Sequence, residues 1–199
     1  LEAGIFMIPI MAAAAVGGPV AGYFSNLYGL RLVASTSLAV SPVALAFLAM
    51  ADFHQPGFVV LVLLALLGLT LSIGLTTSSI AIMGAVEACE GAAAGSLEAT
   101  AYELGTGLGV TFFGMFMSSL FSRTFSLPVD LASPLAERAA RSIGDSYVVA
   151  YSLGQPQSAA LIEAEAFSAT HAMLLIAASV MIGTTGVFVF IMLRGYRGA

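Results

Sequence analysis

The sequence predicts an all-α integral membrane protein with five transmembrane helices, and three observations carry that reading. Hydrophobic residues make up 59% of the 199 residues, charged residues only 9%, and the mean hydropathy is +1.02. A soluble domain carries roughly 25% charged residues, so this chain takes lipid as its solvent. Five stretches reach the ~20 predominantly apolar residues that a spanning helix needs, and short polar or Gly/Pro-containing segments separate the first four.

The first span covers 3–25. It carries Pro9 and Pro19 as kink points and a small-residue run, Ala12 to Ala15 then Gly17 and Gly18. Asn26 to Gly29 separates it from the second span, 31–51. Asp52-Phe53-His54-Gln55-Pro56-Gly57 leads to the third, 57–84, and Pro56 with Gly57 suits a turn or a helix start. Glu87 to Gly95 is a small-residue link to the fourth, 94–121, and the fifth covers 169–193. The segment 122–168 contains three prolines and several charges but no apolar run of spanning length. Ser133 before Pro134 reads as an N-cap with proline at N1, opening a helix through about Tyr151 with Leu135, Ile143 and Val148 as its less polar positions. After Gly154-Gln155-Pro156, a second helix from Gln157 runs past Glu163 and Glu165 into the last span. Two readings stand for this segment: an outer hairpin lying against the membrane surface, or a solvated loop without mechanistic role. The whole of 1–199 reads as one transmembrane bundle, and an apolar helix opening at Leu1 without a methionine is expected of the later part of a longer chain.

Arginine placement sets the orientation, because cytoplasmic loops carry an excess of basic residues. Arg31, Arg194 and Arg197 fall on one side of a five-span bundle, which makes the C-terminus cytoplasmic. Arg123, Arg138 and Arg141 fall outside, in or beside the long segment where the rule weakens. The absence of lysine removes the basic footprint that nucleic-acid binding needs. A single cysteine, Cys89, excludes a disulfide framework, and two histidines far apart give no metal cluster, so no metal or cofactor is expected.

Gly22-Tyr23-Phe24-Ser25-Asn26-Leu27-Tyr28-Gly29-Leu30-Arg31 supplies register. Its pattern, Gly22, Asn26, Gly29 and Arg31, resembles the cytoplasmic signature loop of the major facilitator superfamily, G-x-x-x-D-x-x-G-[RK]-[RK], which lies between the second and third helices of a six-helix half. Two positions depart from it: Asn26 replaces the acid, and Leu30 replaces the first basic residue. A weakened copy is what the resemblance implies for a C-terminal half, and without its carboxylate the loop reads as a topological marker. The five spans then form most of the C-terminal six-helix half of a major facilitator transporter, and the partner implied is the N-terminal half of the same protein. Gly95 to Gly109, the opening Glu2-Ala3-Gly4 with Pro9, and Ala166-Phe167 resemble the fourteen-helix drug:proton antiporters, and among them exporters of methyl viologen and quaternary ammonium compounds.

Glu103 is the sharpest candidate for chemistry. It sits about ten residues into its helix, roughly 15 Å at 1.5 Å per residue, near mid-membrane. A charge there costs roughly 2.5–3.5 kcal/mol on insertion scales, so such residues face cavities and act. A carboxylate withdrawn from water holds its proton more tightly, which suits proton exchange, and the same group attracts a cation. The alternative is a hydrogen-bonded acid that fixes helix packing. Glu98 lies five residues earlier, about 140° round the helix, and does not share that face; it is a second candidate for the same work or a solvated acid near the interface. Thr76, Thr77, Ser78 and Ser79, with Phe112, Phe113 and Met115, are expected to line a soft cavity for a lipophilic cation. Gly105, Gly107 and Gly109 form a small-residue face for close helix approach, which the resemblance sets at the seam between halves.

The function expected is proton-coupled multidrug efflux across a bacterial inner membrane, with lipophilic cations, protons and the lipid bilayer as partners. No catalytic nucleophile or phosphate loop is visible, which argues against an enzyme, an intramembrane hydrolase included. A non-transporting scaffold or sensor that keeps the fold is the rival; it has no use for acids at mid-membrane.

Overall fold

The computed structural model describes residues 2–51, 57–124 and 156–195, with single positions 145, 148, 149 and 152. Five long helices account for most of them: α1 (Glu2–Tyr28), α2 (Leu30–Ala49), α3 (Phe58–Met83), α4 (Gly91–Thr124) and α5 (Pro156–Met192), with 3-10 turns at Ala88–Glu90 and Leu193–Gly195. No strand occurs among the described residues. Four segments are long and apolar enough to cross a membrane: Met7–Tyr28, Leu30–Ala49, Phe58–Met83 and Thr170–Met192. The chain is an all-helical, multi-pass membrane protein. The remaining predicted span, 94–121, lies wholly inside α4 but is not among these four. The 52–56 turn with His54 lies outside the described residues, as does the predicted helix from Ser133 to about Tyr151 apart from positions 145, 148 and 149, which are helical.

The break between the first two helices is tighter than the sequence led us to expect. Asn26, Leu27 and Tyr28 continue α1, and one residue, Gly29, separates it from α2. Gly29 has φ 85° and ψ 144°, a region open essentially to glycine alone. Its N–H donates to Ser25 O at 3.0 Å, and Val33 N–H donates to Gly29 O at 3.3 Å. Asn26 is exposed in the last turn of α1.

The described residues fall into two units, Leu1–Leu104 with Leu175–Ala199, and Gly105–Leu174. In the first, α1 and α2 pack on α3. Helices in lipid gain little from burying apolar surface, so close backbone approach and hydrogen bonds across helices must hold them together. Both devices are present. A Cβ on Gly68 would run into the backbone of Ile10, and one on Gly17 would lie 2.6 Å from Ser72 Cβ. Ser72 Oγ donates to Ala14 O at 2.8 Å, Ser41 Oγ to Thr70 Oγ1 at 2.8 Å, and Ser179 Oγ to Pro42 O at 2.7 Å. Around these contacts lies an apolar core of Ala44, Leu45 and Leu48 from α2 and Val60, Leu64 and Leu67 from α3, flanked by Ile10, Leu175, Ala178 and Ile182.

The second unit contains the later part of α4 and the earlier part of α5. Phe112 meets Phe113 edge-on at 5.5 Å and stacks with Phe116 at 6.2 Å. Phe112 and Met115 are exposed, and Val149 is buried.

Candidate functional site

The end of α3 and the start of α4 border a cavity of about 750 Å³. The connection between them is short: Gly84 caps α3, the Ala88–Glu90 turn follows, and α4 starts at Gly91. Small residues bring the two helices close, since a Cβ on Gly95 would stand 3.2 Å from Met83 Cε. From α3 come Leu75, Thr76, Ser78, Ser79, Ile82 and Met83, and from α4 Glu98, Ala99, Ala101, Tyr102 and Glu103.

The cavity collects both candidate acids. Glu98 and Glu103 differ by about 140° on a helical wheel, yet both line it, because it is broad enough to be bordered by a wide arc of α4. Glu103 is exposed and Glu98 partly buried. Among the described residues no basic side chain pairs with either. Thr76, Ser78 and Ser79 add hydroxyl oxygens, and Ser78 Oγ donates to Leu75 O at 2.8 Å. Met83, Tyr102, Leu75 and Ile82 supply soft and apolar surface. No sequence motif singles out any of these four; the one signal for Leu75 and Ile82 is that they repeat with Ser78 and Ser79 at the three- and four-residue spacing of one helix face.

The other sequence candidates lie elsewhere. Thr77 is buried, with its hydroxyl bonded back to Ile73 O at 2.9 Å or Gly74 O at 3.0 Å, and it borders a separate cavity of about 220 Å³. Phe112, Phe113 and Met115 belong to the second unit. A Cβ on Gly105, Gly107 or Gly109 would meet no atom within 4 Å, and Gly22 is equally open. Arg31 stacks its guanidinium 4.2 Å over the ring of Phe190. Cys89 is exposed, its thiol 3.8 Å from Glu87 Oε2. No group of three or more His, Cys, Asp or Glu side chains able to hold a metal ion occurs among the described residues.

Two acids, hydroxyls, an aromatic ring and a thioether in one cavity form a lining suited to an organic cation: charge attracts it, and the ring face and sulfur give polarizable contact.

Two curated proteins resemble the chain, the methyl viologen resistance proteins SmvA of Salmonella typhimurium strains 14028s and LT2. Each is 40% identical over 183 residues, which is 91% of this chain and 37% of the relative. The chain therefore spans little more than a third of the length of these relatives. No protein-family model matches it. No solved structure matches it either.

Proposed function

We propose that this chain is the C-terminal part of a major facilitator transporter that expels hydrophobic or quaternary cations from a bacterial cell in exchange for protons. The observation that carries the reading is the cavity in which Glu98 and Glu103 stand together with Thr76, Ser78, Ser79 and Tyr102. The likeness to methyl viologen resistance proteins supports the substrate class, since methyl viologen is an organic dication. Their greater length supports a larger transporter to which this chain contributes a part.

In this reading α4 is the fourth of five spans, the C-terminus is cytoplasmic, and the protein resides in the inner membrane. Glu103, with Glu98, holds either a proton or a cation. A cation entering from the cytoplasm binds the ionised acids. When the bundle rocks to face outward, protons arriving there displace it, and the neutral acids allow the return. Phe112, Phe113 and Met115 contribute apolar surface along the same helix. Gly105, Gly107 and Gly109 form the face on which the N-terminal half moves, and Gly22, Asn26, Gly29 and Arg31 mark the cytoplasmic turn.

With α4 spanning, Glu103 stands at membrane depth in this reading, which favours a transporter over a scaffold, since a scaffold gains nothing from the cost of an acid there. Replacement of Glu103 by Gln in the full-length protein is the test. It should abolish efflux of methyl viologen driven by a pH gradient in vesicles, at unchanged protein level. Undiminished efflux would sink the coupling role.

A further inference from the structure

The geometry points to a binding site for one anionic phospholipid in the groove between α2 and α5, with its phosphate on Arg31 and an acyl chain along the groove. Leu32, Thr36 and Ala39 of α2 face Gly183, Val187 and Phe190 of α5 across a groove of about 350 Å³. Both sets repeat at one helix-face spacing, and seven residues at 1.5 Å each give a slot of about 10 Å. The helices run antiparallel, since Arg31 meets Phe190 at one end and Pro42 receives the Ser179 hydrogen bond at the other. Glycine shapes the slot: a Cβ on Gly183 would meet only Pro42 carbons at 3.8 Å, while Gly186 lies close on Leu38, and among the described residues no side chain fills the space between them. The remaining walls are mostly exposed apolar side chains on two segments able to cross a membrane.

Charge decides what fills it. Arg31 lies where the groove ends, held over Phe190 by a cation–π contact. Its Nε is buried without a hydrogen-bond partner, and among the described residues no acid forms an ion pair with it. Asn26, five residues earlier and exposed, offers no carboxylate. One turn into the groove, Ser35 Oγ is likewise buried without a partner. Arg194, one turn beyond Phe190, adds a second exposed cation at this end. Tyr23, Phe24 and Tyr28 cluster near the same end of the bundle, Tyr23 against Phe24 at 5.5 Å and Phe24 against Tyr28 at 5.8 Å. Exposed aromatic rings beside arginines mark headgroup depth. A guanidinium that no described acid pairs with, at that depth and at the end of an apolar slot, matches a phosphate joined to an acyl chain.

Native mass spectrometry of the detergent-purified full chain, titrated with phosphatidylglycerol or with phosphatidylcholine of the same acyl chains, tests this. Phosphatidylglycerol should bind about fivefold more tightly, the worth of one basic residue at an anionic lipid surface. Arg31→Gln should bring the two lipids level, and Arg31→Lys should keep the preference. Ala39→Phe should weaken both lipids; Ala39 is exposed on the groove wall, so this arm decides even if Arg31→Gln does not fold. Excess inorganic phosphate should leave the lipid bound. Equal affinity of the wild type for both lipids, an intact preference in Arg31→Gln, unweakened binding in Ala39→Phe, or displacement by free phosphate would each overturn the site.

Discussion

Replacing Gly68 by alanine tests how this bundle is held together. In an exposed helix interior the change is favourable by about 1 kcal/mol, because alanine is the better helix former. At Gly68 the added Cβ would collide with Ile10 O and stand 2.9 Å from Ile10 C and 3.0 Å from Ile10 Cα. All three atoms are backbone, so no rotamer change relieves the clash, and α1 and α3 must part by roughly an ångström to restore carbon contact distances. Overpacking of this kind costs about 1–3 kcal/mol. The rigid obstacle puts Gly68 at the upper end, for a net loss of about 1–2 kcal/mol. At ~2–4 °C per kcal/mol for a chain of this size, Tm should fall by about 2–8 °C. Thermal unfolding in detergent, followed by far-ultraviolet circular dichroism, reads this directly. Gly114→Ala is the internal control, since its Cβ meets nothing within 4 Å; it should be neutral or stabilising. Gly17→Ala should fall between, because Ser72 must yield and its hydroxyl is bonded to Ala14 O. If Gly68→Ala melts at or above the wild-type temperature, the close α1–α3 approach does not govern stability.

Gly29→Ala should cost about 1–3 kcal/mol, because φ 85° with ψ 144° is a conformation that alanine adopts only under strain; an unchanged Tm would mean that the turn is not held in this shape. Cys89 is exposed in the link that the arginine placement assigns to the cytoplasm. A membrane-impermeant maleimide should label it in inverted vesicles and not in right-side-out ones, and the opposite pattern would reverse the orientation.

Much of the fold is legible in the sequence because lipid imposes so strong a constraint. Apolar runs of spanning length locate α1, α2, α3 and the membrane part of α5 to within a few residues. The end of α1 was less legible. Asn26 to Gly29 carries polar and turn-forming residues, but backbone hydrogen bonds continue the helix through Tyr28, and only glycine can take the one sharp turn that remains. The candidate site was legible as residue types and less so as a surface. A helical wheel separates Glu98 from Glu103, but it describes a line of sight from one helix and not the width of a cavity bordered by two. The third helix shows the same limit. Its hydroxyls read as one polar group, yet Thr76, Ser78 and Ser79 border the cavity while Thr70, Ser72 and Thr77 turn to other helices or to their own carbonyls. Arg31 read as an orientation marker; its seat on Phe190 depends on a residue 159 positions away that no local pattern announces.

The central claim is that Glu98 and Glu103 together bind an organic cation. Equilibrium binding of methyl viologen to the full-length protein tests it without requiring transport. A unit charge ~8 Å away at an effective dielectric of ~20 contributes about 2 kcal/mol, so Glu103→Gln should weaken binding by roughly thirtyfold. The double replacement Glu98→Gln with Glu103→Gln should weaken it further than either change alone. Affinity that Glu103→Gln leaves unchanged, or a double replacement that still binds as tightly as the wild type, would contradict the account.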